Sequence, residues 1–144
     1  MSAEVITHNE LYLILRTRYP NAYIRLLDGT YNIPTEDSFK EYLKELGRHL
    51  FALYGDKWQE YFDCDNFTLE AIALAYRKHW IARQENKGNA QGVTIGAIVV
   101  DGLKHALNVR VKGDKSVEEW EPQTKQPVIL SSAQCASVSL VLFS

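Results

Sequence analysis

The sequence predicts an α+β fold in which helices precede strands. Apolar residues recur at helical spacing until about residue 83, and beyond a loop at 87–92 they follow the two-residue alternation of strands. The chain has 144 residues, of which 46% are apolar, so it can bury one core without disulfides or metal ions. A single domain over residues 1–144 is therefore predicted.

Three helices are predicted, over residues 8–19, 36–54 and 65–83. The first opens with the spacing of a capping box, from Thr7 to Glu10. In the third, apolar residues lie nearly all round the helix axis, which predicts burial on most sides.

The predicted strands are antiparallel. The first two form a hairpin, because Asp28-Gly29 suits a tight turn between residues 22–27 and 30–33. Five further strands follow the helices, at residues 93–100, 103–111, 116–121, 128–131 and 136–143.

Composition argues against some classes of function. The net charge is −2 with both signs mixed along the chain, so no basic surface for nucleic acid is expected. No apolar run reaches the ~20 residues that span a bilayer and no secretory leader is visible, which predicts a cytoplasmic protein without a membrane partner. The two cysteines, Cys64 and Cys135, are therefore not expected to form a disulfide, and Cys135 is expected to be structural.

Cys64 is the candidate nucleophile because it precedes the third helix. A helix N-terminus favours the thiolate through its unpaired N–H groups and the helix dipole. The neighbouring Asp63 and Asp65 repel a thiolate, so activation would require a histidine partner.

His105 is the candidate base, and Glu121 the acid that orients it. Strand alternation makes His105 the polar member of an apolar, inward row. A three-residue turn at residues 112–114 would place Glu121 directly opposite His105 on the next strand. Gln123, two residues farther along the same face, is a second candidate for orienting the histidine.

Two residues of the segment that precedes Cys64, Gln59 and Trp58, are candidates for substrate binding. Gln59 could donate a hydrogen bond to the oxyanion of an acyl-transfer reaction, beside the backbone N–H of Cys64. Trp58 could form part of the wall of a cleft.

Each of these residues also has a structural interpretation. Cys64 could be a small buried residue, His105 a core histidine bonded to a carbonyl group, and Glu121 a surface acid. No metal ligands are assigned: Asp63, Asp65 and Asn66 lack the spacing of a calcium loop, and helix capping is the favoured role for the two acids.

Three segments together resemble a known family: residues 63–67 around Cys64, residues 105–108 beginning with His105, and residues 121–124 beginning with Glu121. They resemble the protease-like domain at the C-terminus of a galactose-binding, Marasmius-type mushroom agglutinin, and small proteins of phages and prophages. The resemblance covers residues 58–125. It implies a papain-like fold, with Cys64 as nucleophile, His105 as base and Glu121 as the acid that orients the base.

The resemblance also has implications for cofactors and ligands. The agglutinin's protease activity depends on calcium, so Ca²⁺ is implied as a candidate cofactor. The chain lacks the sugar-binding trefoil domain of that relative, which removes the lectin function from the inference. It also carries Trp58 where papain-like enzymes have their oxyanion glutamine.

Two functions are predicted from these observations. The first is a cysteine hydrolase of the peptidase or acyl-transfer type, encoded by a phage or prophage, that uses Cys64, His105 and Glu121 on a peptide or other amide substrate. The alternative is a non-catalytic, phage-encoded binding or virion-associated protein that keeps the fold without turnover. The substrate and the oligomeric state are not predicted.

Overall fold

The computed structural model describes residues 4–54, 64–84 and 90–144, and it has the predicted α+β composition. The helices are α1 (His8–Arg18), α2 (Glu36–Tyr54), α3 (Cys64–Gln84) and α4 (Ser132–Ala136). The strands are β1 (Glu4–Thr7), β2 (Tyr23–Leu26), β3 (Thr30–Ile33), β4 (Gly92–Val93), β5 (Ile95–Val100), β6 (His105–Val111), β7 (Val117–Trp120), β8 (Pro127–Val128) and β9 (Val138–Phe143). A 3-10 turn, Asp101–Leu103, joins β5 to β6.

The strands form two sheets rather than one antiparallel sheet. The larger has the order β2-β9-β5-β6-β7-β8 and the smaller the order β1-β3-β4. Two neighbouring pairs, β2 with β9 and β3 with β4, are parallel. The prediction that the sheet is antiparallel is therefore wrong for these pairs and correct for the other strand pairs of the described residues.

The predicted hairpin around Asp28-Gly29 is wrong, although both of its strands form. β2 joins the larger sheet and β3 the smaller, so the chain changes sheets at this dipeptide. Gly29 does not adopt the positive φ angle that a tight hairpin turn of this kind requires. Instead, the Gly29 carbonyl accepts a hydrogen bond from the first residue of α1, His8, at 2.9 Å.

The three long helices lie where they were predicted. The capping box of α1 is confirmed, because Thr7 and Glu10 each accept a hydrogen bond from the other's backbone N–H. The short helix α4 and the strand β1 were not predicted from the sequence. Within the described residues, no helix is long and apolar enough to cross a membrane.

The prediction that α3 is buried on most sides is wrong. Four large apolar side chains on its outer face are about half exposed: Leu69, Tyr76, Trp80 and Ile81. Its inner face packs against α2 and the sheet through Phe67, Ala71 and Ala75. Helix α3 therefore has apolar residues on both faces, but only the inner face is buried.

The larger sheet separates two apolar cores. On one face, α1 covers side chains such as Leu107 and Val109 of β6. On the other face, α2 and α3 cover Trp120 and Ile95. Since successive side chains of a strand point to opposite faces, both faces of the central strands are buried.

A buried ionic cluster connects α1 to the sheet. Glu119 of β7 is almost completely buried, and it accepts hydrogen bonds from the Arg18 guanidinium and, at 3.1 Å, from the Tyr19 hydroxyl. Burial, and then the Glu119 charge, raise the pKa of Tyr19. Two-point bonding by Arg18 compensates the cost of burying the Glu119 carboxylate.

Three buried tyrosines should make the protein unstable at alkaline pH. Burial raises the pKa of Tyr19, Tyr31 and Tyr42 above the value of about 10 found in unfolded chains. Because the folded pKa is the higher one, the stabilisation is present below pH ~10 and lost as the pH rises further. We expect tyrosinate absorbance near ~295 nm from these residues to rise only together with loss of the circular dichroism signal.

A matched pair of variants tests the same point. Tyr42→Phe removes the hydrogen bond from Tyr42 to the Ala71 carbonyl, which should lower the free energy of unfolding at pH 7 by about 1 kcal/mol. It should also remove one of the late-ionising groups. Tyr23→Phe, at an exposed position, is the control and should change neither. Ionisation of all the tyrosines before unfolding would contradict this account.

Candidate functional site

The structure brings together two of the predicted site residues, His105 and Glu121. Nε2 of His105 lies 2.6 Å from Oε2 of Glu121. The histidine side chain is about one-third exposed and the glutamate side chain less so. We call these two residues the His-Glu pair.

The pair forms although the predicted strand register is wrong by two residues. Val111 lies opposite Val117, and Val109 lies opposite Glu119. The turn is centred on Asp114 rather than Gly113, because Asp114 accepts a hydrogen bond from the Ser116 N–H and the next residue takes a positive φ angle. Since the shift is even, Glu121 stays on the same face as His105 and reaches it diagonally.

A tight turn fixes the backbone of Glu121. This residue directly follows β7, and its backbone N–H donates to the Gln126 carbonyl at 2.9 Å. Its own carbonyl accepts from the Lys125 N–H at 2.7 Å, with Lys125 at a φ of 60°. Gln123 lies exposed in the same turn, and the acceptor of the hydrogen bond that orients His105 is Glu121.

The bond also fixes which nitrogen of His105 carries the proton. A carboxylate oxygen only accepts, so Nε2 must donate to Glu121. In the neutral ring, Nδ1 is then left as an acceptor for another group. The second oxygen of Glu121, Oε1, is buried and has no hydrogen-bond partner among the described residues, which is an unusual state for a carboxylate oxygen.

The remaining predicted residues are only partly described. Trp58 and Gln59 lie outside the described residues. Helix α3 has Cys64 as its first residue, but the side chain of Cys64 also lies outside the description. Contact between Cys64 and His105 therefore stays a prediction.

The direction of α3 can nevertheless be followed along the sheet. Ala75 belongs to the same apolar cluster as Ile95, which pairs with Arg110 near the end of β6. Earlier in α3, the Thr68 carbonyl accepts from the Asn108 side chain at 3.2 Å. The N-terminal end of α3 therefore lies toward the N-terminal end of β6, where His105 is located.

The Ca²⁺ implied by the resemblance has no cluster of acidic side chains to hold it among the described residues. No group of three or more histidine, cysteine, aspartate or glutamate side chains within them is arranged to hold a metal ion. Of the acids considered beside Cys64, Asp63 lies outside the described residues and Asp65 is exposed. A Ca²⁺ requirement remains an implication of the family resemblance alone.

Two further histidines and Cys135 are held within the fold. Nε2 of His49 lies 3.0 Å from Glu70, and Nε2 of His79 lies 2.9 Å from the Ala90 carbonyl. Cys135 is buried in the core beside α1, and this burial raises the pKa of its thiol. It is a free cysteine with a structural position.

Solved structures share this fold, among them two of lectins. A complex of PSL1a with E64 has a TM-score of 0.74 and 22% identity, and it covers 96% of this chain and 51% of PSL1a. The Polyporus squamosus lectin, bound to the human-type influenza-binding epitope Neu5Aca2-6Galb1-4GlcNAc, has a TM-score of 0.69 and 23% identity over 96% of this chain and 49% of the lectin. The chain has the fold of half a mushroom lectin.

These structural similarities correct one prediction made from the sequence. The proteins found to share the fold are lectins, so the description of this chain as a cysteine protease-like hydrolase is corrected, while the relation to agglutinins fits. No protein-family model matches the chain, and no curated protein matches it. Nothing in the comparisons bears on a phage or prophage origin, which stays a prediction.

The His-Glu pair can be tested in solution through the ring nitrogens of His105. We expect two-bond ¹H–¹⁵N correlation spectra of the neutral ring to show the proton on Nε2. Glu121→Gln, which replaces the carboxylate with an amide, should shift the tautomer balance, whereas Glu118→Gln on the opposite face should not. An unchanged tautomer in Glu121→Gln would contradict the described hydrogen bond.

Proposed function

We propose that this chain is a binding domain that recognises a carbohydrate and does not transform it. The observation that carries the proposal is the fold, which 96% of the chain shares with two lectin structures at TM-scores of 0.74 and 0.69. One of these lectins is recorded with a sialylated trisaccharide. The chain spans only about half the length of those proteins. Because one fold can host several functions, the ligand class is tested by direct binding.

The His-Glu pair offers suitable chemistry for such a ligand. Sugar hydroxyl groups both donate and accept, and His105 presents Nδ1 as an acceptor while its other nitrogen is held by Glu121. The amide group of Gln123, exposed nearby in the turn after β7, offers a donor and an acceptor. The ligand would meet a histidine whose orientation is already fixed, which lowers the entropic cost of binding.

Calorimetric titration with Neu5Aca2-6Galb1-4GlcNAc tests this proposal. We expect saturable binding that Cys64→Ala leaves within about twofold, because recognition does not require the thiol. Loss of one hydrogen bond in His105→Ala should weaken binding by about 2- to 10-fold. Maltose serves as the control sugar and should give no saturable heat.

Two outcomes would count against carbohydrate recognition. One is the absence of saturable binding by the folded chain at millimolar trisaccharide. The other is loss of binding in Cys64→Ala with an unchanged circular dichroism spectrum, which would make the thiol part of the function.

A second candidate function is covalent chemistry at Cys64, and the His-Glu pair favours it. In this proposal the Cys64 sulfur attacks the carbonyl carbon of an amide substrate and its proton passes to Nδ1 of His105, while Glu121 holds the ring. His105 returns the proton to the amine as the C–N bond breaks, and the acyl group left on Cys64 is transferred to water or to another nucleophile. Gln123 would assist in orienting His105, and Gln59 and Trp58 would bind the substrate. That PSL1a is recorded in a complex with E64 makes this compound a suitable probe.

The fold restricts where Cys64 and His105 could come into contact. Strand alternation puts His105 on the opposite face of the sheet from Asn108, and Asn108 contacts α3. His105 and Cys64 could therefore meet only around the end of β6, where His105 is the first residue. The direction of α3, whose first turn lies toward that end, is compatible with this requirement.

Thiol labelling distinguishes the two candidates. In a Cys135→Ala background, Cys64 is the remaining cysteine, and E64 should add once without a leaving group because a thiolate opens its epoxide. Glu121→Gln should slow the labelling by at least about tenfold if the pair activates the thiol. Labelling by E64 and iodoacetamide no faster than that of an unperturbed thiol at pH 7 would eliminate covalent chemistry and leave the binding proposal intact.

A further inference from the structure

A cavity of about 550 Å³ lies between α2, α3 and the strands β3 to β5. It is separate from the His-Glu pair. Ile95, which lines the cavity, is paired with Arg110, five residues along β6 from His105, or about 16 Å at the usual strand rise. Its volume falls within the range of small-molecule sites.

The apolar wall of the cavity is held in place before any ligand arrives. The Tyr42 hydroxyl donates to the Ala71 carbonyl of α3 at 2.5 Å. The Phe39 ring packs edge-on against Trp120, and the Arg110 guanidinium lies 3.7 Å from the ring centroid. Rings fixed in this way lose little conformational freedom when a flat apolar group binds.

His79 places a hydrogen-bond acceptor in the cavity wall. Only 9% of this residue is exposed, and its Nε2 lies 2.9 Å from the Ala90 carbonyl. Because a carbonyl group only accepts, Nε2 carries the proton, and Nδ1 of the neutral ring is an acceptor. Nδ1 has no hydrogen-bond partner among the residues that the structure describes.

The charges at the cavity mouth favour a positively charged ligand. Lys78 is already paired with Glu45 of α2, whereas Asp37 is exposed and has no ion pair within the described part of the chain. The α2 N-terminus would attract an anion, but Asp37 and Glu36 occupy its first turn. The mouth therefore repels carboxylates and phosphates and favours a cation.

We propose that this cavity is a binding site for a small aromatic amine. The aromatic ring would lie against Phe39 and Tyr42, the ammonium group would meet the Asp37 carboxylate, and a ring hydroxyl or N–H group would donate to His79. Ser38, the next residue after Asp37, also lines the cavity, and its Oγ accepts a hydrogen bond from the Thr35 hydroxyl at 2.9 Å. This site is independent of the function proposed for the His-Glu pair.

Amide-resolved NMR titration with tyramine tests the site. Saturable shifts are expected at residues 79, 82 and 93, with a dissociation constant in the millimolar range or below. The matched probe 3-(4-hydroxyphenyl)propionate keeps the phenol ring and replaces the ammonium with a carboxylate. It should bind at least about tenfold more weakly, because Asp37 repels it.

Two variants locate the binding. Ala82→Trp should fill the cavity and abolish the tyramine shifts, with a dispersed spectrum showing that the variant is folded. Asp37→Asn should weaken tyramine about threefold or more, whereas Glu41→Gln, which removes an equal charge from α2 away from the cavity, should not. The proposal is overturned if tyramine gives no saturable shifts, if Ala82→Trp retains them, or if the carboxylate analogue binds equally well.

Discussion

The structure depends on burying both faces of its central strands. In β6, Leu107, Val109 and Val111 point into the core under α1, whereas Asn108 and Arg110 point toward α2 and α3. A register slip of one residue would exchange these two sets and bury Glu119 where Trp120 now packs. The register of the β6 and β7 pair is therefore strongly constrained from both sides.

Burial on both faces forces polar groups into the interior, and most of them are compensated. Arg110, almost fully buried, bonds to Glu36 and Glu118 and covers the Phe39 ring. Three other buried atoms have no partner in the described structure: Thr68 Oγ1, Asn108 Oδ1 and Trp120 Nε1. They belong to adjoining residues, because Asn108 pairs with Trp120 and bonds to the Thr68 carbonyl. Such neighbouring polar atoms are where internal water is normally found.

The fold separates two surfaces on which function can be built. At one end of β6, His105 and Glu121 form a hydrogen-bonded pair at the protein surface. At the other end, the helices leave a cavity between apolar rings and acceptor groups. The two interpretations of the His-Glu pair differ in what they require of Cys64: recognition requires nothing, whereas covalent chemistry requires its sulfur to reach His105 around the end of the strand.

The sequence by itself determined the local elements and one feature of the site. The positions of α1, α2 and α3 follow from periodicity and capping, which depend on residues a few positions apart. The facing of His105 and Glu121 was predicted in spite of a misplaced turn, because a shift of two residues preserves strand alternation. Only the tertiary structure decided which strands pair, that β2 and β3 belong to different sheets, and that α3 has an exposed apolar face. These features depend on contacts between distant segments, such as β2 with β9, and local sequence patterns carry no record of a segment's distant partner.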